Sequence, residues 1–192
     1  MPVGPIKSRL LIEEFLPNHD LSAGYRTCIN APPSQVYPHI LGLDLSEPWI
    51  VRLLMTLRTG KPMRRNRAPS DLRQQLQGTG FVVLGEVPGE ELVIGVAGRF
   101  WLPDGGRCLD FTADDFVGFS RPGFAKVAWN FELSPDSPGT TILSTDTRIK
   151  CFGKTALWKF RLYWSLVGPF SGLIRKAILK RVKMLAESDA KV

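Results

Sequence analysis

The segment 154–188 constrains the fold more than any other part of this 192-residue chain, because its pattern predicts one long amphipathic helix. Its large apolar residues recur at steps of three or four, the spacing that places side chains on one helical face. These residues are Leu157, Phe160, Trp164, Val167, Phe170, Ile174, Ile178, Val182 and Leu185. A helix with so wide an apolar face needs a large surface to pack against, and the strands predicted before it could provide that surface.

The same segment carries its charge on one side. Between Asp146 and Glu187 the sequence has ten basic residues and no acidic one, so the polar face of the predicted helix is basic. Such a face is typical of a solvated surface, with contact to anionic lipid headgroups as the alternative. Gly168-Pro169 interrupts the segment, and proline removes a backbone hydrogen bond and kinks a helix. We therefore predict a kink or break near Pro169.

Short β-prone segments separated by Pro, Gly and Asp precede this helix, a pattern typical of an antiparallel meander. We predict strands at 81–87, 92–101, 107–112, 123–133 and 140–151, an irregular segment at 113–120 and a turn at 134–139. Alternation in strand 123–133 places Val127, Trp129 and Phe131 on one face, with Lys126 and Asn130 on the other. The apolar face is the one expected to contact the C-terminal helix.

The first half of the chain predicts a strand followed by helices. A helix at 6–15 would cross the outside of the domain, and a strand follows at 23–30. Ala31-Pro32-Pro33-Ser34 leads into a helix at 35–41, because proline is favoured at helix starts. Further predictions are a second helix at 48–58, a basic loop at 59–70 and one or two helical turns at 71–77.

Two segments resemble the START-like superfamily, also called SRPBCC or helix-grip proteins. The run TCINAPPSQVY, from Thr27 to Tyr37, is similar to that superfamily's opening strand passing into a helix. The run GTTILST, from Gly139 to Thr145, is similar to its penultimate strand-opening motif. The resemblance implies an α+β helix-grip fold, a curved antiparallel β-sheet wrapped around a long C-terminal α-helix, with two short helices after the first strand. It also implies a hydrophobic cavity between sheet and helix.

The resemblance extends over about residues 25–186. We interpret residues 1–192 as a single START-like domain, with an N-terminal extension at 1–22 and the long helix at 153–188. Members of the superfamily include lipid carriers, polyketide cyclases and aromatases, and hormone-binding proteins. The superfamily transfers no shared catalytic motif to this sequence, and a fold alone does not fix function.

Aromatic residues of the predicted sheet and helix define the candidate binding site. A cavity lined by aromatic side chains and a few hydroxyl groups is the recurrent form of a small-molecule site. The predicted ligand-binding residues are Phe100, Val127, Trp129, Phe131, Thr145, Thr147, Phe160, Tyr163 and Trp164. Packing in a filled core would also explain most of these aromatic residues, and it stays the alternative.

Metal and nucleophile chemistry have little support in the sequence. His19 and His39 are the only histidines, and no HExxH, GxSxG or Walker-type motif is present. We predict no catalytic residue, no metal site and no cofactor. Asp146 and Arg148 lie two apart on one predicted strand face. Exposed ion pairing with neighbours across the sheet is the simplest role for both, and a catalytic or ligand-orienting role is the alternative.

Composition bounds the partners and the compartment. The net charge of +7 is moderate and typical of an ordinary soluble surface, so we expect no nucleic-acid partner. Cys28, Cys108 and Cys151 form no CxxC pair, as expected for reduced thiols. The charge-free stretch 162–174 has 13 residues, and a bilayer span needs roughly 20. With no signal-peptide pattern at the start, a cytoplasmic location is expected, as a monomer or a homodimer.

Three functions follow from these patterns. The first is binding or transport of a hydrophobic small molecule, lipid-like or polyketide-like, between sheet and helix. The second is an enzyme of the polyketide cyclase or aromatase kind that uses the same cavity. The third is a peripheral membrane protein that contacts an anionic surface through the basic helix face. The first hypothesis involves no catalysis and is the one we favour.

Overall fold

The structure, a computed structural model, describes residues 10–44, 71–76, 80–102, 106 and 112–190. These residues form an α+β domain with one antiparallel sheet and a long C-terminal helix. In chain order the elements are α1 (Leu11–Phe15), β1 (Leu21–Ile29), α2 (Pro33–Leu41), α3 (Leu72–Leu76), β2 (Val82–Val87), β3 (Glu91–Gly98), α4 (Ala113–Gly118), β4 (Ala125–Ser137), β5 (Thr140–Cys151) and α5 (Lys154–Asp189). The predicted fold class is confirmed.

The sheet has five strands in the order β1-β5-β4-β3-β2, and all pairs are antiparallel. Two hairpins, β2-β3 and β4-β5, make up most of the sheet, as the regular turn spacing predicted. The first strand crosses over to pair with the last one, which places Tyr25 opposite Thr145. The N-terminal strand and the C-terminal hairpin are therefore adjacent, directly before the chain enters α5.

The two faces of the sheet are covered by different helices. We call the face that packs against α5 the inner face, where Phe131 and Leu143 belong to one apolar cluster with Ile178 and Val182 of the helix. The outer face is covered by α1 and α4, which pack against Val93 and its neighbours. Every residue of β3 is buried, because both of its faces are covered.

Helix α5 confirms the predicted C-terminal helix and is continuous through Pro169. The break predicted as one possibility near Pro169 is therefore wrong, and the kink stays a prediction. Phe170 was placed on the sheet-facing side, and this is wrong, because its side chain is 46% exposed. Three helical turns take about 11 residues, so counting from buried Phe160 leads to Ser171, which faces the sheet instead.

Two segment predictions are also wrong. Residues 113–118 were expected to be irregular but form α4, which begins with a capping box between Thr112 and Asp115. The turn predicted at 134–139 is shorter, because β4 continues to Ser137. Pro135 fits there because the register shifts at that point and β3 pairs with β4 only as far as Glu132.

Other predictions fall on parts of the chain that are not described. The helix predicted at 48–58, the basic loop at 59–70, the strand at 107–112 except for Thr112, and Cys108 lie outside the described residues. The helical turns predicted at 71–77 are found as α3, and β1 begins two residues earlier than predicted. Among the described residues, no helix combines the length and apolar character that a bilayer crossing requires.

Candidate functional site

A cavity of about 220 Å³ lies between the inner face of the sheet and the middle of α5. The described residues that line it are Phe81, Val96, Phe100, Val127, Trp129, Thr147, Phe160, Tyr163, Trp164, Ser171, Ile174 and Arg175. The helix is fixed to the sheet on both sides of this region. Ala156 and Phe160 pack in one apolar cluster, and Ile178 and Val182 pack in another. The cavity is therefore lined by the part of α5 between two well-packed ends.

Seven of the nine residues predicted to bind a ligand line this cavity: Phe100, Val127, Trp129, Thr147, Phe160, Tyr163 and Trp164. The other two lie behind its wall. Phe131 is fully buried with its ring 4.9 Å from that of Trp129, and Thr145 forms hydrogen bonds within the sheet. The structure brings the predicted set together, with two members in supporting positions. Their ligand-binding role stays a prediction.

Phe160 organises one wall of the cavity. Its ring centroid is 6.0 Å from that of Phe100 and 5.7 Å from those of Tyr163 and Trp164. The contacts with Phe100 and Tyr163 are edge-on, and the contact with Trp164 is stacked. Such aromatic pairs add stability beyond burial and limit ring movement. The wall is thus a preformed aromatic surface.

Trp129 forms the opposite wall and is held by hydrogen bonds. Its Nε1 donates to Oγ1 of Thr145 at 2.6 Å, and the Thr145 hydroxyl donates to the Asn130 carbonyl at 2.7 Å. The Arg175 guanidinium carbon lies 5.6 Å from the Trp129 ring centroid, within range of a cation–π contact. The indole therefore connects the sheet to the charged residue on α5.

Arg175 is the main residue that the sequence analysis missed. It was counted among the basic residues of the outer helix face, but its side chain is buried, with 8% exposed. Nη1 donates to the Ser171 hydroxyl at 2.5 Å. Burial lowers the pKa of Arg175 to about 10, and the nearby Tyr25 and Asp146 act in the opposite direction. Its position, about four turns after Phe160, was the signal that could have identified it.

Two buried side-chain atoms in the described residues have no hydrogen-bond partner, and they belong to residues that line this one cavity. They are Nε of Arg175 and Oγ1 of Thr147. Buried polar groups in folded proteins are nearly always paired, so each exception calls for an explanation. Here the explanation is local, because both residues face the same space. The cavity combines an aromatic wall with a donor and a hydroxyl that the protein leaves unsatisfied.

Several charged groups elsewhere in the described residues form ion pairs. On the outer face Arg148 bonds Asp146 of the same strand at 3.0 Å and lies 3.6 Å from Glu13 of α1. Both residues are therefore ion-paired as predicted, but the pairing expected with neighbouring strands across the sheet is not the one found. His39 lies 3.1 Å from Asp189. No group of His, Cys, Asp and Glu suited to a metal ion occurs among the residues that the structure describes.

A second polar cluster joins three elements near α2. The Tyr37 hydroxyl donates to Glu86 at 2.5 Å, and Arg73 donates to both Glu86 oxygens at 2.6 Å. Burial and the Glu86 hydrogen bond raise the pKa of Tyr37 well above its ordinary value. The carboxylate connects α2, α3 and β2, so this cluster has a clear structural role.

Comparison with known proteins finds solved structures of low sequence identity and no family. No family model matches the sequence, and no curated protein matches it. A conserved protein from Geobacillus kaustophilus is 14% identical, with 88% of this chain and 96% of that chain covered and a TM-score of 0.45. The Aha1 dimer from Colwellia psychrerythraea is 11% identical, with 85% and 97% covered and a TM-score of 0.38.

CalU16 from Micromonospora echinospora is 15% identical, with 88% of this chain and 86% of that chain covered and a TM-score of 0.31. These matches record similarity to solved structures at low identity.

Proposed function

We propose that the protein is a START-like carrier that binds a hydrophobic small molecule in the cavity between the inner sheet face and α5. The supporting observation is the 220 Å³ space with its preformed aromatic wall. Burying apolar surface against this wall would drive binding, at about 25 cal/mol per Å² of apolar surface removed from water. The packed ends of α5 would keep the site in shape before the ligand arrives.

The described residues line a space of about 220 Å³ that is partly open to solvent. A protein cavity of about 150 Å³ is large enough for benzene, so this space fits one ring system or one short chain. The volume therefore bounds the buried part of a ligand and not its whole length.

The test is titration calorimetry with 1-octanol as an apolar probe. Ile174→Trp would fill the cavity from the helix and should abolish octanol binding. Leu173→Trp is the matched control, because Leu173 is the exposed neighbour on the same helix. Wild-type protein that binds no octanol, or an Ile174→Trp variant that binds it as well as wild type, would contradict the proposal. Thermal unfolding of each variant shows that it is folded.

The alternative function is that of a polyketide cyclase. A cyclase converts the molecule that it binds, whereas a carrier only binds it. Tyr163 lines the cavity from α5 and carries a phenolic hydroxyl that an enzyme could use to position a reacting chain. For a carrier, Tyr163→Phe changes affinity only. A polyketide-like substrate that is converted by wild type and bound but not converted by Tyr163→Phe would favour the enzyme.

A second candidate function is contact with an anionic membrane, favoured by an exposed apolar stripe on α5. The stripe consists of Trp158, Leu162, Leu166, Phe170 and Leu173, at spacings of four and three residues. Trp158 and Leu166 are 66% and 68% exposed. Apolar residues arranged in this way are typical of a helix that lies in a membrane interface. The sequence pattern indicated a basic outer face for this helix, and the stripe was not predicted.

Charge complementarity supports a lipid partner over a second protein copy. Lys154, Lys159 and Arg161 are exposed near the stripe, and no acidic residue occurs on α5 before Glu187. Basic residues near an anionic surface each contribute about 1 kcal/mol of attraction. Two copies of the same stripe would bring these positive charges together, which opposes self-association.

Vesicle sedimentation tests this second function. Wild-type protein should pellet with phosphatidylserine-containing vesicles and much less with phosphatidylcholine alone. Leu162→Ser/Leu166→Ser should stay in the supernatant, whereas Val117→Ser, at an exposed apolar position on α4, should behave as wild type. Equal pelleting of the stripe variant and wild type would exclude the stripe as the contact. Ultracentrifugation that instead finds a wild-type dimer abolished in the stripe variant would assign the surface to self-association.

A further inference from the structure

We infer that the ligand of this cavity is an amphiphile with a carboxylate group, which is bound by the Arg175 guanidinium and the Thr147 hydroxyl. The inference rests on the proposed function, because it names the chemical class of the molecule that the cavity holds. The part of the ligand that the cavity encloses is a short apolar chain or one ring, which fits the volume that the described residues line.

The guanidinium of Arg175 is incompletely hydrogen-bonded. More than nine tenths of the side chain is buried, yet the protein satisfies only part of the guanidinium. Nη1 donates to the Ser171 hydroxyl and more weakly to the Ser171 carbonyl at 3.5 Å, while Nε is left without an acceptor. A buried positive charge is costly unless it is paired and hydrogen-bonded. The missing partner is an acceptor that carries negative charge.

Thr147 of β5 supplies a second unpaired group to the same cavity. Its Oγ1 is buried and unpartnered, and the residue lines the same cavity as Arg175. The register places Thr147 opposite Trp129, whose ring contacts the guanidinium. A carboxylate has two oxygens, so one can accept from Nε of Arg175 while the other accepts from the Thr147 hydroxyl. One group on the ligand would thereby satisfy both unpaired atoms.

The buried charge of Arg175 favours a carboxylate over a neutral oxygen as its partner. An alcohol or ketone could accept a hydrogen bond from Nε, but it would leave the buried positive charge unbalanced. Hydrogen bonds between ionised partners are shorter and about twice as strong as neutral ones, and arginine suits the planar carboxylate. The aromatic walls accommodate the apolar remainder of the molecule. The site therefore favours an acid over the alcohol of the same chain length.

The experiment compares octanoate with 1-octanol by titration calorimetry at neutral pH. We expect wild type to bind octanoate about tenfold more tightly or better, the factor that corresponds to a hydrogen bond with a charged group. Arg175→Gln should remove this preference and leave octanol affinity nearly unchanged. Thr147→Val, which is close in shape, should weaken octanoate binding by several-fold and octanol binding less.

The matched control is Lys176→Gln. Lys176 is the exposed neighbour of Arg175 and carries the same charge, so this variant removes one positive charge without changing the cavity lining. It should keep the preference for octanoate. If it loses the preference as Arg175→Gln does, the effect is a general surface attraction and the inference is wrong.

The outcomes separate the inference from the proposed function. Binding of both probes with equal affinity by wild type overturns the carboxylate inference and leaves the carrier function standing. Binding of neither probe overturns both. Octanoate preference that survives Arg175→Gln places the recognition elsewhere and overturns the assignment of Arg175. Circular dichroism and thermal unfolding of each variant keep a folding defect from being read as a binding defect.

Discussion

Two buried cations on opposite faces of the sheet are treated differently by the protein. Lys126 on the outer face is 5% exposed, and Arg175 beside the inner face is 8% exposed. The Lys126 ammonium donates to the carbonyls of Phe116 and Val117 at 2.8 and 3.0 Å, at the end of α4. Within the described residues Arg175 donates hydrogen bonds to Ser171 alone, and its Nε is an unpaired donor.

The comparison indicates that the charge of Lys126 stabilises the fold, whereas the charge of Arg175 is available to bind a ligand. Helix ends expose carbonyl groups that lack partners, and a lysine placed there satisfies them. Burial lowers the pKa of Lys126, yet its contacts compensate within the protein. Arg175 has fewer hydrogen bonds to offset the loss of its hydration, so its burial lowers the stability of the ligand-free protein. A ligand that accepts a hydrogen bond from Nε would offset this loss. Binding sites commonly retain groups that reduce stability.

The largest effect is expected on the outer face, where Glu91 holds α1. Its carboxylate accepts hydrogen bonds from the backbone amides of Leu11 and Ile12, at 2.6 and 3.2 Å, and from the Asn130 amide at 2.7 Å. Glu91→Leu leaves three buried donors unpaired and should reduce the free energy of unfolding by about 3–5 kcal/mol. Urea denaturation measures the change. Glu90→Leu, at the exposed neighbour, should change stability little; equal losses would show that Glu91 has no special role.

Lys126→Met should produce the next largest loss. The methionine keeps most of the apolar stem but leaves the Phe116 and Val117 carbonyls without their donor. We expect the free energy of unfolding to fall by about 2 kcal/mol. Hydrogen exchange should report faster opening of α4 than of α5. Unchanged stability in Lys126→Met would show that the hydrogen bonds from Lys126 to the α4 carbonyls do not stabilise the fold, and would contradict the distinction drawn between Lys126 and Arg175.

Threonines of the inner face repeat the comparison within one strand. Thr145 takes part in two hydrogen bonds, and Thr147, two residues later, takes part in none with its hydroxyl. Thr145→Val should destabilise the protein by about 1–2 kcal/mol, whereas Thr147→Val should be neutral or slightly stabilising. Thermal unfolding without added ligand measures both. A loss of similar size in the two variants would show that Thr147 is satisfied in solution.

Periodicity explains why much of the fold could be predicted from sequence. Period two along β4 separates Trp129 from Lys126, and the three-or-four spacing of α5 identifies Phe160 and Val182 as sheet-facing. Such patterns are local, so they can be recognised without coordinates. Most of the residues that these patterns selected as ligand-binding line the cavity. Phe131 and Thr145 also belong to the inner face of the sheet, but they are buried behind the cavity wall. Alternation along a strand predicts which face a side chain is on, and it does not predict whether that side chain reaches the cavity.

Arg175 and α4 show what local patterns miss. A basic residue in an amphipathic helix is normally assigned to the solvent, and only the turn count from Phe160 places Arg175 inward. The capping box Thr112-x-x-Asp115 was visible in the sequence but uses aspartate in place of the usual glutamate or glutamine. Whether a core is filled or hollow depends on contacts between distant residues such as Trp129 and Trp164. The cavity therefore had to come from the structure.

The smallest expected effect has the opposite sign and is the most informative. Arg175→Met should raise the stability of the ligand-free protein by about 1 kcal/mol, because replacing a buried charge with an apolar side chain is often stabilising. The lowered pKa corresponds to a cost on the order of 3 kcal/mol, and the lost Ser171 and Trp129 contacts offset most of the gain. The guanidinium is charged in the folded and unfolded states well below pH 10, so the gain should be constant there. As pH rises through about 10, the folded wild type loses the buried charge and the gain should shrink. Urea denaturation at several pH values measures this; a variant less stable than wild type throughout would show that Arg175, like Lys126, holds the fold.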